Sequence, residues 1–488
     1  MHAESHRRYF DTQVRHANGV IEIGKTFMVT IAEIVAAHRN GATTPAQTIQ
    51  RCYERIRALA DPGLFISLRD EGSAVAEAEA LSVEKLGAPL CGVPVAVKDN
   101  IDVAGLPTTA ACPAFAYSPS ADATVVVKLK AAGAIVVGKT NLDQFATGLV
   151  GTRTPYPVPR NPLRADLIPA GSSSGSAVAV AAGIAPVALG TDTAGSGRIP
   201  AMYNNVVGLK PSLGLVSTKG VVPACRSLDC ISIFALTVDD AWTTLSVVAG
   251  YDSADAYSQA RPLGALARSP SNRRLGVPRA AQRVFFGDER AAADFDEALA
   301  RLARLGHSIA EIDMVPFYET ARLLYEGPWL AERYIAVRRI IESEPAALHP
   351  ITAGIIAPGG ALGATEAFEA FYRLEVLRKL VAETFAQIDA LVCPTAPTAY
   401  TTRQILNHPI ELNSRLGTYT NFVNLLDLCG MAVPAALHAD ATPFGITILA
   451  PAGADALAAS IAREFQADTG LRPGASTKVD VKSECVAD

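Results

Sequence analysis

The stretch from Ala170 to Pro200, AGSSSGSAVAVAAGIAPVALGTDTAGSGRIP, constrains the fold more than any other part of this sequence. Glycine and serine cluster at both ends, and the apolar run between the clusters has room for one short helix and one strand. Small residues tolerate unusual backbone angles and leave N–H groups uncovered, so such clusters suit loops that approach a ligand closely. The stretch predicts a loop, helix, strand, loop unit, and we expect its two serine-bearing loops to face one pocket.

The composition is that of a large globular chain without an electrostatic preference for nucleic acid. Of the 488 residues, 49% are hydrophobic and 19% are charged, and the net charge is -5. This gives a large core and no case for binding nucleic acid or an anionic membrane. The sequence has no 18-residue uncharged apolar segment, and its N-terminus lacks the apolar region of a signal peptide. We therefore expect a cytoplasmic enzyme that acts on small molecules.

The cysteines and histidines predict neither a disulfide framework nor a metal centre. Eight cysteines are scattered along the chain, and only Cys225 and Cys230 lie close together, so we expect buried reduced thiols. The eight histidines form no HxH or HExxH motif, and none lies between residues 39 and 306. A metallohydrolase is therefore disfavoured, and a Ser-His-Asp enzyme would need a distant histidine. We predict that the protein uses no metal and no cofactor.

Helix and strand patterns alternate along the chain, which predicts an α/β architecture. Thr44 and Pro45 mark a helix start, since they suit the N-cap and the first helical position. A β-branched run ends at Lys98, and an alternating strand with this lysine in solvent is one interpretation of it. The predicted helices cover 31–38, 45–59, 124–132, 288–305, 328–343 and 454–467, and the predicted strands include 134–137, IDALVCPTAP and PFGITILAP.

Two short hydrolase motifs are present, and each lacks its expected context. The segment Gly171 to Gly175 matches GxSxG, which would make Ser173 a nucleophile, but the preceding stretch is broken by proline and is not a clean strand. The segment Ser82 to Lys85 matches SxxK, but it lies in a charged helical pattern, and the sequence has neither SDN nor KTG. Neither motif predicts the nucleophile by itself.

A third set of motifs resembles the amidase signature family. In chain order it consists of GVPVAVKDNIDVAGLPTTA, GKTNLDQFATG, AGSSSGSAVAVAAG, GTDTAGSGRIPA, GLKPS, CPTAP and PFGITILA, which together span roughly residues 45 to 465. The resemblance implies the amidase signature fold, a central mixed β-sheet covered on both faces by helices. It also implies a domain over residues 30–468, with a poorly constrained segment over 1–29 and a linker or tail over 469–488.

The resemblance implies a Ser-Ser-Lys triad with Ser196 as nucleophile, Ser172 as a bridging serine after a cis peptide bond, and Lys98 as the base. A hydroxyl is a weak nucleophile until a base takes its proton, and lysine does so only when neutral. Burial penalises the ammonium form, and lowering a lysine pKa from about 10.4 to about 7 or 8 takes roughly 3 to 4 kcal/mol. Ser172 suits a relay because a hydroxyl both donates and accepts.

Two further groups of residues follow from the same motifs. Backbone N–H groups in the nucleophile loop suit an oxyanion hole, and those implied are on Thr193, Ala194, Gly195 and Ser196. Residues expected to support the triad and its loop are Ser173, Asp192 and Arg198. The alternative for the last two is an ordinary surface ion pair. Ala170 and Ala194 stand where many relatives have glycine, and neither change removes an N–H group.

Within the family, GLVGTR, GTDTAGSGR and VVPACRSLDCISIFALTVDDA look closest to enzymes that hydrolyse allophanate, a small anion. Such a substrate needs a cation in its pocket. The segment LYEGPWLAER resembles a stretch that holds the substrate carboxylate, here with Tyr325 and Arg333, and Gly148 matches a pocket-lining position. We expect Tyr325 in a loop before a helix that begins at Pro328. The alternative for Arg333 is a solvated helix face.

The implied reaction cleaves the terminal amide of allophanate, and the product, N-carboxycarbamate, then decays to CO₂ and ammonia. The alternatives are a biuret or broad-specificity small-amide amidase, the A component of a glutamyl amidotransferase, and a catalytically silent module that binds small anions. We expect a homodimer whose ligand is a small anionic amide, without nucleic acid or membrane partners. Full-length allophanate hydrolases usually carry a further C-terminal domain, which we expect to be absent after residue 468.

Overall fold

The computed structural model describes residues 29–81, 87–268 and 272–475. These residues form one mixed sheet. Its strands are β1 Phe65–Leu68, β2 Pro94–Lys98, β3 Ile135–Thr140, β4 Val187–Asp192, β5 Val207–Lys210, β6 Cys230–Ala235, β7 Arg274–Pro278, β8 Ser308–Ile312, β9 Ala390–Pro394, β10 Leu428–Leu437 and β11 Pro443–Pro451. The spatial order is β1-β3-β2-β4-β6-β5-β10-β11-β9-β7-β8. The SxxK motif and most of the predicted terminal segments lie outside the described residues.

The α-helices of the described residues flank this sheet. They are α1 Ile31–Arg39, α2 Pro45–Leu59, α3 Glu71–Glu79, α4 Thr124–Ala131, α5 Ser174–Ala181, α6 Ile199–Tyr203, α7 Val238–Val248, α8 Glu289–Arg304, α9 Val315–Glu326, α10 Trp329–Ser343, α11 Pro350–Ile356, α12 Ala364–Phe385, α13 Thr402–Asn407, α14 Glu411–Leu416 and α15 Asp455–Thr469. None of them is long and apolar enough to cross a membrane.

The sheet has a hydrophobic core on each face, and successive residues of a central strand belong to opposite cores. In β2, Val95 and Val97 belong to a core with residues of α1, α4, α7, α8 and α15. Ala96 belongs to the opposite core, with residues of α2, α3, α5 and α6. Successive strand residues point to opposite faces, so every second residue of β2 meets the same set of helices. The predicted α/β fold, with helices on both faces of the sheet, is confirmed.

The sheet is mixed, and one of its two parallel parts contains β4, the strand of the serine-rich stretch. Strand β2 pairs in parallel with both β3 and β4, whereas β4 pairs antiparallel with β6. The predicted loop, helix, strand, loop unit is α5 followed by β4. Because parallel neighbours end at the same edge of a sheet, the ends of β2 and β4 bring Lys98 and Asp192 to one place. The candidate site lies at this edge.

Most predicted elements agree with the structure to within a few residues, but several helices are absent from the prediction, including α7, α9 and α12. The N-cap of α2 is confirmed, since the Thr44 side chain accepts a hydrogen bond from the Gln47 N–H. Helix α9 was not predicted. Helix α12 was also missed, because large apolar residues on its exposed side obscure the helical period of its buried side.

Candidate active site

Lys98 lies fully buried at the end of β2, on the same face as Ala96 and against the start of α5. Its Nζ lies 2.8 Å from Ser172 Oγ and 2.9 Å from Ser173 Oγ. The Thr191 hydroxyl is also 2.9 Å from this amine. Lys98 therefore does not face solvent, and its only hydrogen-bond partners in the described part of the chain are these three hydroxyls.

The surroundings of Lys98 favour a neutral amine. Burial lowers the pKa of Lys98 to about 7, and the more distant carboxylates of Asp143, Asp192 and Asp229 raise it only in part. No described carboxylate forms an ion pair with this amine. A neutral amine keeps two N–H donors and gains a lone pair, so one of its three hydroxyl partners must donate to it.

The hydrogen bonds of the three hydroxyls exclude Ser173 as that donor and leave Ser172 and Thr191 able to donate. The Ser173 hydroxyl donates to the Thr191 carbonyl oxygen at 3.1 Å, so its proton is already used. Thr191 Oγ1 also accepts from Asn100 Nδ2 at 3.3 Å. Ser172 Oγ has no hydrogen-bond partner except Lys98 among the described residues. Ser173 therefore suits a supporting role. Its hydroxyl is already used, which argues against Ser173 as the nucleophile of the GxSxG motif.

The Ser172 loop is held by backbone contacts. The peptide bond between Gly171 and Ser172 is cis, as the resemblance implied. The Gly171 N–H donates to the Leu149 carbonyl at 2.9 Å, and the Asp143 N–H donates to the Ser172 carbonyl at 3.1 Å. These contacts fix the Ser172 hydroxyl beside Lys98, while the Asp143 side chain bonds to backbone amides farther along, including that of Gly151 at 2.9 Å.

The Asp192 carboxylate fixes the loop that carries Ser196. It accepts from the N–H groups of Gly195 and Gly197 at 2.8 and 3.0 Å. It also accepts from Arg198 Nε and Nη2 at 2.9 and 3.0 Å, and both side chains are fully buried. Burial would raise the pKa of Asp192, but the Arg198 guanidinium and these hydrogen bonds outweigh it and lower that pKa. Asp192 and Arg198 therefore form a buried ion pair that fixes this loop, and the alternative of a surface ion pair is wrong.

Ser196 lies between the two amides that Asp192 holds and is 2% exposed. Its hydroxyl makes no hydrogen bond to any described residue, so the structure joins Lys98 to Ser172 but does not join Ser172 to Ser196. The Gly195 N–H, implied in the oxyanion hole, is already donated to Asp192. Within the described residues, the amides of this loop that donate to no acceptor are those of Thr193, Ala194 and Ser196.

Arg333 is a buried cation without an anionic partner. The residue lies in α10 and is 1% exposed. Its Nη1 donates to Thr147 Oγ1 at 3.1 Å, and its Nη2 donates to the Tyr325 hydroxyl oxygen at 3.4 Å. Its Nε has no partner, and no described carboxylate pairs with it. A buried guanidinium is costly unless it is paired, so this arrangement suits an anionic ligand.

The structure corrects the predicted location of Tyr325 and adds a steric reason for glycine at position 148. Tyr325 does not lie in a loop but in the last turn of α9, and its ring lies 5.1 Å from the Arg333 guanidinium. A Cβ at Gly148 would lie 2.6 Å from Asp143 Oδ2, so the structure gives a second reason for glycine there. A cavity of about 470 Å³ opens beside Tyr325, between α9 and the segment 414–421.

Sequence reasoning did not single out three further buried polar residues here. Thr147 accepts from Arg333 through its hydroxyl and from Arg153 Nη1 through its carbonyl, both at 3.1 Å. Arg153 also donates to the Pro409 carbonyl at 2.9 Å. The third residue, Asp229, accepts from the Thr193 hydroxyl. Arg153 lies in the motif GLVGTR, Asp229 in VVPACRSLDCISIFALTVDDA and Thr147 in GKTNLDQFATG, and these motifs were their only signal. The described residues contain no cluster of His, Cys, Asp and Glu that could hold a metal ion.

The Amidase family model matches residues 47–458, which is most of the chain. This chain belongs to the amidase family. The amidase is 48% identical to urea amidolyase of Saccharomyces cerevisiae over 364 residues, which are 74% of this chain but 20% of the relative. It is 44% identical to urea amidolyase of Lachancea kluyveri over 419 residues, which are 84% of this chain and 23% of the relative.

A solved structure of Kluyveromyces lactis allophanate hydrolase is similar to the whole amidase fold. The TM-score is 0.86 at 38% identity, and the match covers 92% of this chain and 74% of the other. The urea amidolyases are much longer proteins, and this amidase spans about a fifth of their length.

Proposed function

We propose that this amidase hydrolyses the terminal amide of allophanate, urea-1-carboxylate, and releases ammonia. The observation that carries the proposal is the buried Arg333, which has no carboxylate partner in the described residues and lies against Tyr325. A neutral amide gives such a cation nothing to pair with, whereas the carboxylate of allophanate does. Similarity to an allophanate hydrolase and to urea amidolyases supports the same substrate.

In this proposal Arg333 and Tyr325 bind the substrate carboxylate. The Arg333 Nε–H is unused, and a guanidinium edge suits the two oxygens of a carboxylate. The Tyr325 hydroxyl accepts from Arg333, so its own proton is free to donate to the same anion. Thr147 holds the guanidinium from the other side. The anion thereby fixes the orientation of the substrate and presents its terminal amide to the nucleophile.

Acylation starts when Ser196 Oγ attacks the carbon of the terminal amide. Its proton passes to Ser172, and the Ser172 proton passes to the neutral amine of Lys98. The amides of Thr193, Ala194 and Ser196 are the donors we assign to the developing oxyanion. Collapse of the intermediate breaks the C–N bond, and the proton returns from Lys98 through Ser172 to the leaving nitrogen, which departs as ammonia.

Deacylation repeats the relay with water as the nucleophile. Water gives a proton through Ser172 to Lys98 and attacks the acyl carbon, and the proton returns to Ser196 Oγ as the ester bond breaks. The product is N-carboxycarbamate, which loses one CO₂ to give carbamate, and carbamate breaks down to the second CO₂ and the second ammonia. Asp192 and Arg198 keep the Ser196 loop in place throughout, and Ser173 orients the amine of Lys98.

Ammonia release from a panel of amides tests the substrate assignment. Purified protein is given allophanate, biuret, malonamate or glutamine. We expect allophanate to give the highest kcat/KM, malonamate to follow because it shares the carboxylate, and the other two to be poor substrates. A preference for biuret over allophanate would instead favour the small-amide amidase, and a preference for glutamine the amidotransferase component.

We also propose a homodimer, because α12 has an apolar face that stays exposed in the described part of the chain. The residues on this face are spaced for one side of a helix, are 40% to 68% exposed, and are Phe368, Phe371, Tyr372, Val376 and Leu380. Such a contiguous apolar face suits a contact between copies. The domain limits at residues 30 and 468 and the cytoplasmic location stay predictions.

A further inference from the structure

Asp229 is a buried carboxylate to which the proposed reaction assigns no part. It stands immediately before β6 and is 8% exposed. Its Oδ1 accepts from the Thr193 hydroxyl and from the Cys225 N–H at 3.2 Å. Its Oδ2 accepts from the Ala224 N–H at 2.8 Å. Asp229 therefore ties the first residue of the nucleophile loop to the segment 224–229.

The other side of the same segment is bonded to the helix that carries Arg333. The Cys225 thiol donates to the carbonyl of Trp329, the first residue of α10, at 3.4 Å. The N–H and hydroxyl of Ser227 donate to the Glu332 carboxylate at 2.6 and 2.7 Å. Arg333 lies one turn beyond Trp329. The segment 224–229 thus connects the loop that carries Ser196 to α10, and Asp229 makes its contact with that loop.

We propose that Asp229 is a positioning residue, which holds the Ser196 loop at a fixed distance from the Arg333 side chain. This distance decides whether a substrate anchored by its carboxylate presents its terminal amide to Ser196. Allophanate is short, so a small displacement between anchor and nucleophile moves the amide away from the attacking oxygen. The inference rests on the proposed hydrolysis at Ser196.

Charge gives Asp229 a second effect, on Lys98. Its carboxylate raises the pKa of Lys98, as do those of Asp143 and Asp192, against the larger effect of burial. Burial raises the pKa of Asp229 itself to about 6, while the Thr193 hydroxyl, the amides of 224 and 225 and the Arg333 guanidinium lower it. Above that pH Asp229 is an anion near the Arg333 guanidinium and the Lys98 amine, and its loss makes the Lys98 ammonium easier to deprotonate.

The test compares Asp229→Asn, Thr193→Val and Thr193→Ser with the unchanged protein. Thr193→Val removes the hydrogen bond to Asp229, and Asp229→Asn makes it a neutral one and replaces one acceptor oxygen by a donor. Each should lower kcat for allophanate about 10-fold to 100-fold, as expected for the loss of one hydrogen bond to a charged group. Only Asp229→Asn removes the charge, so only this variant should move the acid limb of the pH profile to lower pH. Thr193→Ser keeps a hydroxyl and should recover most of the activity that Thr193→Val loses.

Asp240→Asn is the matched control. Asp240 is also a buried carboxylate, it accepts from the Ile31 N–H at 3.0 Å, and burial raises its pKa to about 7. It lies in the first turn of α7, which packs in the core of the opposite face from Lys98 and α5. We expect Asp240→Asn to leave kcat and the pH profile unchanged.

A parental kcat and acid limb in Asp229→Asn would overturn the positioning role, as would the same shift in Asp240→Asn. Should Asp229→Asn fail to fold, the two Thr193 variants decide, and parental kcat in Thr193→Val overturns the inference. Failure of the proposed function has a different result. In that case the unchanged protein prefers biuret or glutamine to allophanate, or releases ammonia from none of the amides and does not react with phenylmethanesulfonyl fluoride at Ser196.

Discussion

Lys98 combines full burial with partners that are all hydroxyls, and this sets the pH dependence of the proposed reaction. Its pKa is lowered from 10.5 to about 7, so the ammonium dominates below that pH and the neutral base above it. Only the neutral amine accepts the proton. We expect kcat/KM for ammonia release to rise with pH through about 7 and to level off above about 8. A flat profile from about pH 6 to 9, with chemistry rate-limiting, would contradict Lys98 as the base.

The serines differ in what their hydroxyls already do, and their variants should differ in the same way. The Ser196 hydroxyl makes no hydrogen bond to a described residue, so Ser196→Ala should abolish ammonia release with little change in Tm. Ser173 accepts from Lys98 and donates to Thr191, so Ser173→Ala should weaken turnover without abolishing it. Activity assays and thermal melts of both variants test this. The reverse order of activities would favour Ser173 as the nucleophile.

The site residues were predictable to different degrees, and the reason is chain separation. Lys98, Ser172 and Ser196 stand in motifs that resemble those of the amidase signature family, and this resemblance implied their roles. Asp229 and Thr147 act through contacts with residues 36 and 186 positions away in the sequence, and no local pattern reports such contacts. Their part in the site emerges only after the sheet has brought distant segments together.

The backbone conformation of the loop that carries Ser196 requires glycine at position 195. Its φ is 128°, and an added Cβ would lie 2.4 Å from Thr420 Oγ1. The Thr420 hydroxyl in turn donates to the Ala194 carbonyl at 2.7 Å. We expect Gly195→Ala to lower stability by about 1 to 3 kcal/mol and to remove most activity, because the oxyanion amides move.

Gly453→Ala is the control for that loop. Gly453 has a φ of 84° and open space around its Cα, so alanine there adds backbone strain without a collision in the site. It should lower Tm modestly and leave kcat as it is. Parental kcat in Gly195→Ala, measured with its Tm, would show that the loop conformation does not limit the reaction.

At the scale of whole elements, predictions held where one face of an element is apolar and failed where that pattern is blurred. Helix α2 has its apolar residues at helical spacing and a capped start, so its limits were predicted as observed. Helix α12 has apolar residues on its exposed as well as its buried side and was missed. Tyr325 was assigned to a loop because Pro328 indicated the start of α10, while α9 was not predicted. Helix α9 ends one residue after Tyr325.

The apolar face of α12 gives a prediction for the whole molecule. Phe368 and Tyr372 are 59% and 68% exposed and lie one turn apart. If this face joins two copies, the double variant Phe368→Glu, Tyr372→Glu should be a monomer by light scattering, since it adds charges to an apolar contact. Val127→Glu, an exposed position on α4, is the control and should stay a dimer. An unchanged mass for the double variant would contradict this interface.

The claim that the molecule as a whole is built for a small anionic amide depends on Arg333. The measurement that tests it most directly is kcat/KM of the unchanged protein and of Arg333→Ala, each with allophanate and with neutral biuret. Arg333→Ala leaves a buried carboxylate unpaired, which costs about 2 to 5 kcal/mol. We therefore expect kcat/KM for allophanate to fall by roughly 30-fold to several thousand-fold and the value for biuret to fall far less. Equal losses for the two amides would mean that Arg333 only supports the fold, and would contradict the assignment of allophanate.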